Sequence, residues 1–209
     1  MSTTTVSRPS ARRLPIRLSL VIVLAVAIAV AVYVATRPDD DTRSREAGAA
    51  TLVGDSLNVG IEPYLGDELP GWRLDAHDRV GRATQEGLDE LRSLGGRLAP
   101  VVVVSLGTND AEGSEPDFRR LVNEAVAIVG PRRCLVWATV VRDGTPRTGF
   151  NRALEDARSA HSNVRLVEWA ALVGDDGELL AGDLVHGTPE GYAQRAEETA
   201  RAIRDCPGG

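Results

Sequence analysis

The chain has 209 residues, of which 43% are apolar and 26% charged; this is the size of one ordinary domain with something added, and the composition is neither disordered nor collagen-like. All 24 basic residues are Arg, a mark of genome composition to which no function attaches, and the formal net charge is −6. The charge is unevenly spread: residues 1–50 carry net +3 and residues 51–209 net −9. So acidic a domain repels a phosphate backbone, which speaks against a nucleic-acid partner.

From the amino terminus, Leu18 to Ala35 is an apolar run broken only by Ser19 and Tyr33. As a helix it would reach about 27 Å, close to the hydrocarbon core of a bilayer. Arg8, Arg12, Arg13 and Arg17 precede it and Asp39, Asp40 and Asp41 follow it. The positive-inside rule then keeps residues 1–17 in the cytoplasm, makes 18–35 a single-pass signal anchor, 36–48 a polar linker, and places 49–209 outside the membrane. A cleaved signal peptide is the rival reading and also exports the domain, as a secreted protein.

Beyond the linker, Ala50–Val53, Trp72–Ala76, Val101–Leu106, Leu135–Val141 and Val164–Trp169 are predicted strands, the run Val101–Val104 being continuously apolar as in a strand buried on both faces. Amphipathic helices lie between them. One places Phe118, Leu121, Val122, Ala125 and Val129 on a single face, after a Ser114-x-x-Asp117 capping pattern and before Gly130-Pro131. The last opens at Thr188-Pro189 and turns Tyr192, Ala196, Ala200 and Ile203 inward. This alternation predicts an α/β fold, a parallel sheet covered on both sides.

Functional residues in such sheets gather beyond the carboxyl ends of the strands. There the sequence offers Gly54-Asp55-Ser56-Leu57, Val80-Gly81-Arg82, Gly107-Thr108-Asn109-Asp110 and Asp183-Leu184-Val185-His186. A serine hydroxyl needs a base within hydrogen-bond reach, itself oriented by a third group. Ser56 at a strand-to-helix turn, His186 before the last helix and Asp183 three residues earlier can supply nucleophile, base and orienter. The Ser56 and Gly81 N–H groups and the Asn109 amide are candidate oxyanion donors. Taken singly, each has an ordinary reading: Gly-Asp-Ser and Asn-Asp as turn and cap chemistry, Gly81 as a tight turn, His186 as a solvated side chain. His77 is an alternative base. Arg142, Arg147 and Arg152 border the loop after the fourth strand and could steer an anionic substrate, or be solvated charge. No metal-ligand spacing, phosphate loop or dinucleotide fingerprint is present, so the chemistry is expected to need no cofactor.

Together these four segments resemble the SGNH (GDSL) family of serine esterases and acyltransferases. Gly54-Asp55-Ser56-Leu57 is similar to its first block, Gly81 to the second, Gly107-Thr108-Asn109-Asp110 to the third and Asp183-x-x-His186 to the last. The resemblance covers roughly Ala50 to Ile203. It implies a flavodoxin-like three-layer α/β/α sandwich with strand order 2-1-3-4-5, Ser56, Asp183 and His186 as catalytic residues, and Ser56, Gly81 and Asn109 as the oxyanion hole. A looser likeness joins the membrane segment and the stretch Asp75–Arg82 to the extracytoplasmic domains of cell-wall O-acetyltransferases.

Cys134 opens the fourth strand and Cys206 closes the last helix. A helix returns antiparallel to the strand it covers, which brings the two to one edge of the sheet, and in an oxidising exterior they are expected to form a disulfide; two buried free thiols are the alternative. Trp72, Trp137 and Trp169 lie in predicted strands and read as core, leaving few aromatics for a sugar platform or an acyl tunnel. The expected function is a serine esterase for short acyl, plausibly acetyl, esters of cell-envelope carbohydrate. The alternatives are an O-acyltransferase acting on a glycan hydroxyl and a catalytically silent glycan-binding module.

Overall fold

The computed structural model describes residues 47–207, apart from Gly113, Asp175 and Asp176. All belong to the unit Arg45–Gly209, one of two into which the chain divides. The expected membrane segment, residues 18–35, and residues 1–17, expected to be cytoplasmic, lie outside the described residues. Among the described residues no helix is long and apolar enough to cross a membrane.

The main sheet has five parallel strands, β1 (Gly48–Gly54), β2 (Trp72–Ala76), β3 (Val101–Ser105), β4 (Cys134–Ala138) and β7 (Val164–Val167), in the order β2-β1-β3-β4-β7. Counting only these strands, this is the expected 2-1-3-4-5. Two short segments, β5 (Val141–Arg142) and β6 (Thr145–Pro146), form a separate antiparallel hairpin. The helices are α1 (Ser56–Glu68), α2 (Thr84–Leu94), α3 (Glu115–Val129), α4 (Thr148–Ala160), the short α5 (Trp169–Val173) and α6 (Pro189–Arg204).

Strand periodicity explains the three layers. Successive side chains point to opposite faces, so Val101 and Val103 pack with Ile61 and Leu65 of α1 and Ala196, Ala200 and Ile203 of α6. Val102 and Val104 pack with Leu88, Leu91, Phe118, Leu121, Val122 and Leu154 of α2, α3 and α4. Both faces being covered, β3 is apolar from Val101 to Val104 and ends in Ser105, and all five of its residues are buried. Phe118 stacks on Phe150 at 4.0 Å between ring centroids and meets Trp137 edge-on at 5.9 Å. Trp137 spends its one donor on the Leu106 carbonyl at 3.1 Å, so its burial leaves nothing unpaired. The close approach of α1 to α6 rests on Gly60, where any Cβ would collide with the Tyr192 ring.

Two expected strand ends move and one expected cap is made differently. The fourth strand stops at Ala138 because the chain then turns out of the sheet: the Thr139 hydroxyl donates to the Val167 carbonyl at 3.2 Å, and the Asn151 side chain takes both backbone groups of Val140, at 2.7 and 3.0 Å. Trp169 is not the end of a strand; it is fully buried at the start of α5. Ser114 precedes α3 without capping it by its side chain, its hydroxyl donating to the Ala111 carbonyl at 2.6 Å instead. Thr188 does cap α6, accepting from Gly191 N at 3.1 Å, with Pro189 at the first helical position.

The disulfide Cys134–Cys206 joins the first residue of β4 to the turn after α6, with the Cα atoms 5.8 Å apart. It lies at the amino edge of the sheet, opposite the strand exits.

Candidate active site

At the end of β1 the chain enters α1 through Asp55. This residue is the helix N-cap: its carboxylate accepts from Leu57 N at 2.9 Å and its own N–H donates to the Ser105 carbonyl at 3.1 Å. Ser56 is thereby fixed as the first helical residue, where its N–H has no intrahelical acceptor.

The loop before α6 is folded by its own aspartate. Asp183 Oδ1 accepts from the backbone N–H of Val185 at 3.1 Å and of His186 at 3.0 Å, and Oδ2 lies 2.6 Å from His186 Nδ1. One carboxylate therefore both shapes the turn and aims the ring. Three donors favour the ionised form, and they hold the Asp183 carboxyl down at about 2, the imidazole contact being the largest cause. With Nδ1–H given to Asp183, the Nε2 lone pair is left for the Ser56 hydroxyl, 2.9 Å away. The loop is braced beneath by an antiparallel bridge between Leu180 and Gly187 and by the apolar cluster of Val141, Trp169, Val173 and Leu180. It contains Leu184 at φ 56°, a left-handed conformation uncommon for a non-glycine residue, with its carbonyl held by Gly144 N at 2.8 Å. The site is open: the His186 and Asp183 side chains are 40% and 54% exposed.

The other two segments meet the same strand exit. The turn after β2 is tied to β1 by Arg79 N donating to the Gly54 carbonyl at 3.0 Å, and it brings Gly81 round at φ +74°, exposed and with open space at its Cβ position. Asn109 Nδ2 donates to Asp55 Oδ2 at 3.1 Å and to the Arg82 carbonyl at 3.2 Å. Both amide hydrogens thus have protein acceptors, so Asn109 can serve an oxyanion only by sharing one of them.

No model of a known protein family matches the chain. A group of curated Staphylococcus aureus proteins, whose assignment as O-acetyltransferases is itself an inference, are 28% identical over 160 residues, 73% of this chain. The chain spans about a quarter of the length of those relatives, the match covering 24% of them. The Streptococcus pneumoniae peptidoglycan O-acetyltransferase A catalytic domain, solved with a methylsulfonyl adduct, superimposes with a TM-score of 0.59 at 19% identity, covering 76% of this chain and 92% of that one. A lipase/acylhydrolase from Enterococcus faecalis gives 0.65 at 19% identity, over 75% and 95%. A member of the lipolytic G-D-S-L family from Veillonella parvula gives 0.63 at 14%, over 75% and 98%. The domain has the SGNH-hydrolase fold.

Within this SGNH fold the alternative base is placed elsewhere. His77 faces Asp75 at 3.2 Å and Glu90 at 3.4 Å, not Ser56. Two of the three arginines after β4, Arg142 and Arg147, are bonded to backbone carbonyls. Arg147 donates to the carbonyls of Gly107, Asp110 and Ala111 at 2.8, 2.9 and 3.0 Å while lying 3.7 Å from the centre of the Phe150 ring, and Arg142 donates to the Thr108 carbonyl at 2.7 Å. Together they hold the Gly107–Ala111 segment that carries Asn109. Arg152 lies apart, in a surface hollow with Glu115, Pro116, Arg119 and Gly149.

Several further residues surround this candidate site, and the sequence assigned them no role of their own. Asp110 caps α2, accepting from the Thr84 hydroxyl at 2.5 Å and from Thr84 N at 3.3 Å. Arg82 is nearly buried and donates to the carbonyls of Gly54 and His77, tying the Gly81 turn to β1. Asn58, two residues after Ser56, donates to both Asp78 oxygens at 3.0 Å; burial, with Glu62 nearby, pushes the Asp78 carboxyl up to about 7. Arg195 of α6, 2% exposed, donates to the Ser105 hydroxyl at the end of β3. The helical period could have flagged it, since position 195 falls on the stripe set by Tyr192, Ala196 and Thr199.

Proposed function

We propose that this domain is a serine esterase for short acyl esters acting through a Ser56 acyl-enzyme. The observation that carries the reading is the continuous chain Asp183–His186–Ser56: Asp183 lies 2.6 Å from His186 within one turn, and His186 lies 2.9 Å from Ser56, 130 positions away in sequence. Ser56 Oγ attacks the ester carbonyl carbon as its proton passes to His186 Nε2. The imidazolium so formed is stabilised by the ionised Asp183. Negative charge on the carbonyl oxygen is met by the Ser56 and Gly81 N–H groups at the exits of β1 and β2, with Asn109 sharing an amide hydrogen. Collapse breaks the C–O bond and returns the proton from His186 to the leaving alcohol. Water, deprotonated by the same Nε2, then attacks the acyl-enzyme; the bond to Ser56 Oγ breaks, the acid leaves and His186 returns the proton to Ser56. The exposure of His186 and Asp183 favours a small acyl group such as acetyl.

A second reading differs only in that last acceptor: a glycan hydroxyl in place of water, giving an O-acyltransferase. The likeness of the chain to O-acetyltransferases in both sequence and structure favours it. For either reading we infer an exported domain held by residues 18–35 and acting on cell-envelope carbohydrate; the apolar run with its arginine flank and the disulfide, which needs an oxidising compartment, support this.

The test uses the purified full-length chain in detergent. It is expected to hydrolyse nitrophenyl acetate and to be labelled by a fluorophosphonate, with Ser56→Ala losing both, the rate falling about 10³-fold or more. An unchanged rate in Ser56→Ala rejects the nucleophile, and binding of oligosaccharide by a chain that resists labelling returns the silent-module reading. Addition of an N-acetylglucosamine oligosaccharide separates esterase from transferase, by whether the sugar gains an acetyl mass.

A further inference from the structure

We propose that Arg195 is a positioning residue for this site: from inside the domain it keeps Asp55 ionised, and ionised Asp55 fixes both the start of the nucleophile's helix and the Asn109 amide. The inference rests on the Ser56–His186–Asp183 reading for its kinetic consequences, but not for its structural ones.

Arg195 is buried against the Trp169 ring, its guanidinium 4.9 Å from the ring centre, and its Nη2 donates to the Ser105 hydroxyl at 2.8 Å. Nε and Nη1 find no acceptor among the described residues. A guanidinium enclosed in this way is costly, and among the described residues no carboxylate makes a direct ion pair with it. The acid that feels its charge is Asp55, itself fully buried, whose N–H donates to the carbonyl of the same Ser105 that takes the Arg195 hydrogen bond. Two buried opposite charges thus flank one residue at the end of β3.

The charge on Asp55 matters because of what it accepts. One oxygen holds Leu57 N and the other Asn109 Nδ2. Were the carboxyl protonated, its O–H would have to compete for one of these positions, setting donor against donor. The natural result is release of the Asn109 amide or loosening of the helix start, both beside Ser56. Burial already pushes the Asp55 carboxyl up to about 6, against the pull of the Leu57 N–H and then of the Arg195 and His186 charges. The groups facing it are Arg195 and Tyr192 from α6, His186 from the loop before α6, Asn109 from the loop after β3, and Arg82, which donates to the neighbouring Gly54 carbonyl. Of these Arg195 alone is a fully enclosed permanent cation.

The experiment follows the Asp55 carboxyl carbon by NMR against pH, and in parallel the pH profile of kcat/KM with nitrophenyl acetate, in the full-length chain. Arg195→Met is expected to raise the Asp55 midpoint and the acid limb of the profile by about one pH unit or more, with activity recovering at high pH. Arg195→Lys should keep both near wild type, and it carries the test alone should Arg195→Met not fold. In an Asp55→Asn background, where overall activity is lower, Arg195→Met should no longer move the acid limb. An unmoved Asp55 midpoint in folded Arg195→Met overturns the proposal, as does a one-unit rise in Arg195→Lys. A limb that still shifts in the Asp55→Asn background overturns it too, by assigning the effect to His186 directly. Failure of the nucleophile reading is recognised separately, by Ser56→Ala retaining its rate while the NMR titration stands.

Discussion

Removal of the Cys134–Cys206 disulfide should lower thermal stability sharply and leave the reactive centre intact. The bridge closes a loop over a sequence separation of 72. In the chain-entropy picture a loop of that size restricts the unfolded ensemble by about 4 kcal/mol. A domain of about 160 residues unfolds with an entropy near 0.3 kcal/mol per degree, so the melting temperature should fall by about 12 °C. The suitable variant is the double Cys134→Ala/Cys206→Ala substitution. Both cysteines are at most 4% exposed, so reductant reaches the folded protein poorly, and alanine fills their sites with the least new strain. Melting is followed by circular dichroism, with nitrophenyl acetate turnover at 20 °C as the control. The bridge lies at the amino edge of β4 and Ser56 beyond the carboxyl edge of β1, about 17 Å of strand away, so turnover should stay within about threefold. A melting temperature lowered by less than about 3 °C would refute the loop-entropy reasoning; a tenfold loss of turnover in the folded variant would refute the separation of clamp from site.

Other outcomes follow from the same geometry. Asp55 is raised to about 6 and Asp78 to about 7, both mainly by burial, so the folded state binds protons that the unfolded state has released. Stability is therefore greater below the ordinary carboxylate range and falls as pH rises through 6 to 7; a denaturant midpoint that does not drop between pH 5 and pH 8 contradicts this. Asp183 acts in the opposite sense, its contribution being present above about pH 4 and lost as pH falls through about 2. Arg147→Ala removes three hydrogen bonds to carbonyls of the Gly107–Ala111 segment and the contact with Phe150. It should cost about 2 to 3 kcal/mol in urea unfolding and lower kcat, whereas a surface-like effect under about 0.5 kcal/mol would show that the segment holds itself. Leu184→Gly relieves a left-handed leucine and should be neutral or stabilising by up to about 1 kcal/mol. Loss of stability by that amount would mean that the leucine side chain, close to Gly144, contributes more than its backbone conformation costs.

The architecture was legible because a doubly covered parallel sheet leaves an unambiguous trace: a strand with two buried faces has to be apolar at every position, as Val101–Val104 is. The contacts among the candidate site residues were legible for a different reason. Asp183 and His186 lie three apart in one turn, so a local pattern specifies their contact, and Ser56 follows a strand directly. What sequence did not disclose depends on long-range pairing. The run Leu135–Val141 reads as a single strand, and only the side chain of Asn151, eleven residues past Val140, ends it by capturing that residue's backbone. The Asn109 amide could be named as an oxyanion donor, but its occupation by Asp55 and the Arg82 carbonyl depends on where two distant segments come to rest. Arg142 and Arg147, read as steering or solvated charge, became loop anchors because open carbonyls of Thr108, Gly107 and Asp110 happen to face them.

The sulfur bridge also partitions the molecule in a way the sheet does not. The covalent ring from Cys134 to Cys206 encloses Asp183, His186 and Arg195, while Ser56, Gly81 and Asn109 all precede it. The proposed nucleophile and oxyanion donors thus belong to an open arm of the chain, and the proposed base with its supports to a closed loop. A protease cut within that loop, for instance at the Asp143–Gly144 tip of the β5–β6 hairpin, leaves one covalent molecule whose two pieces part only on reduction. On a denaturing gel the nicked chain therefore runs as one species without reductant and as two with it.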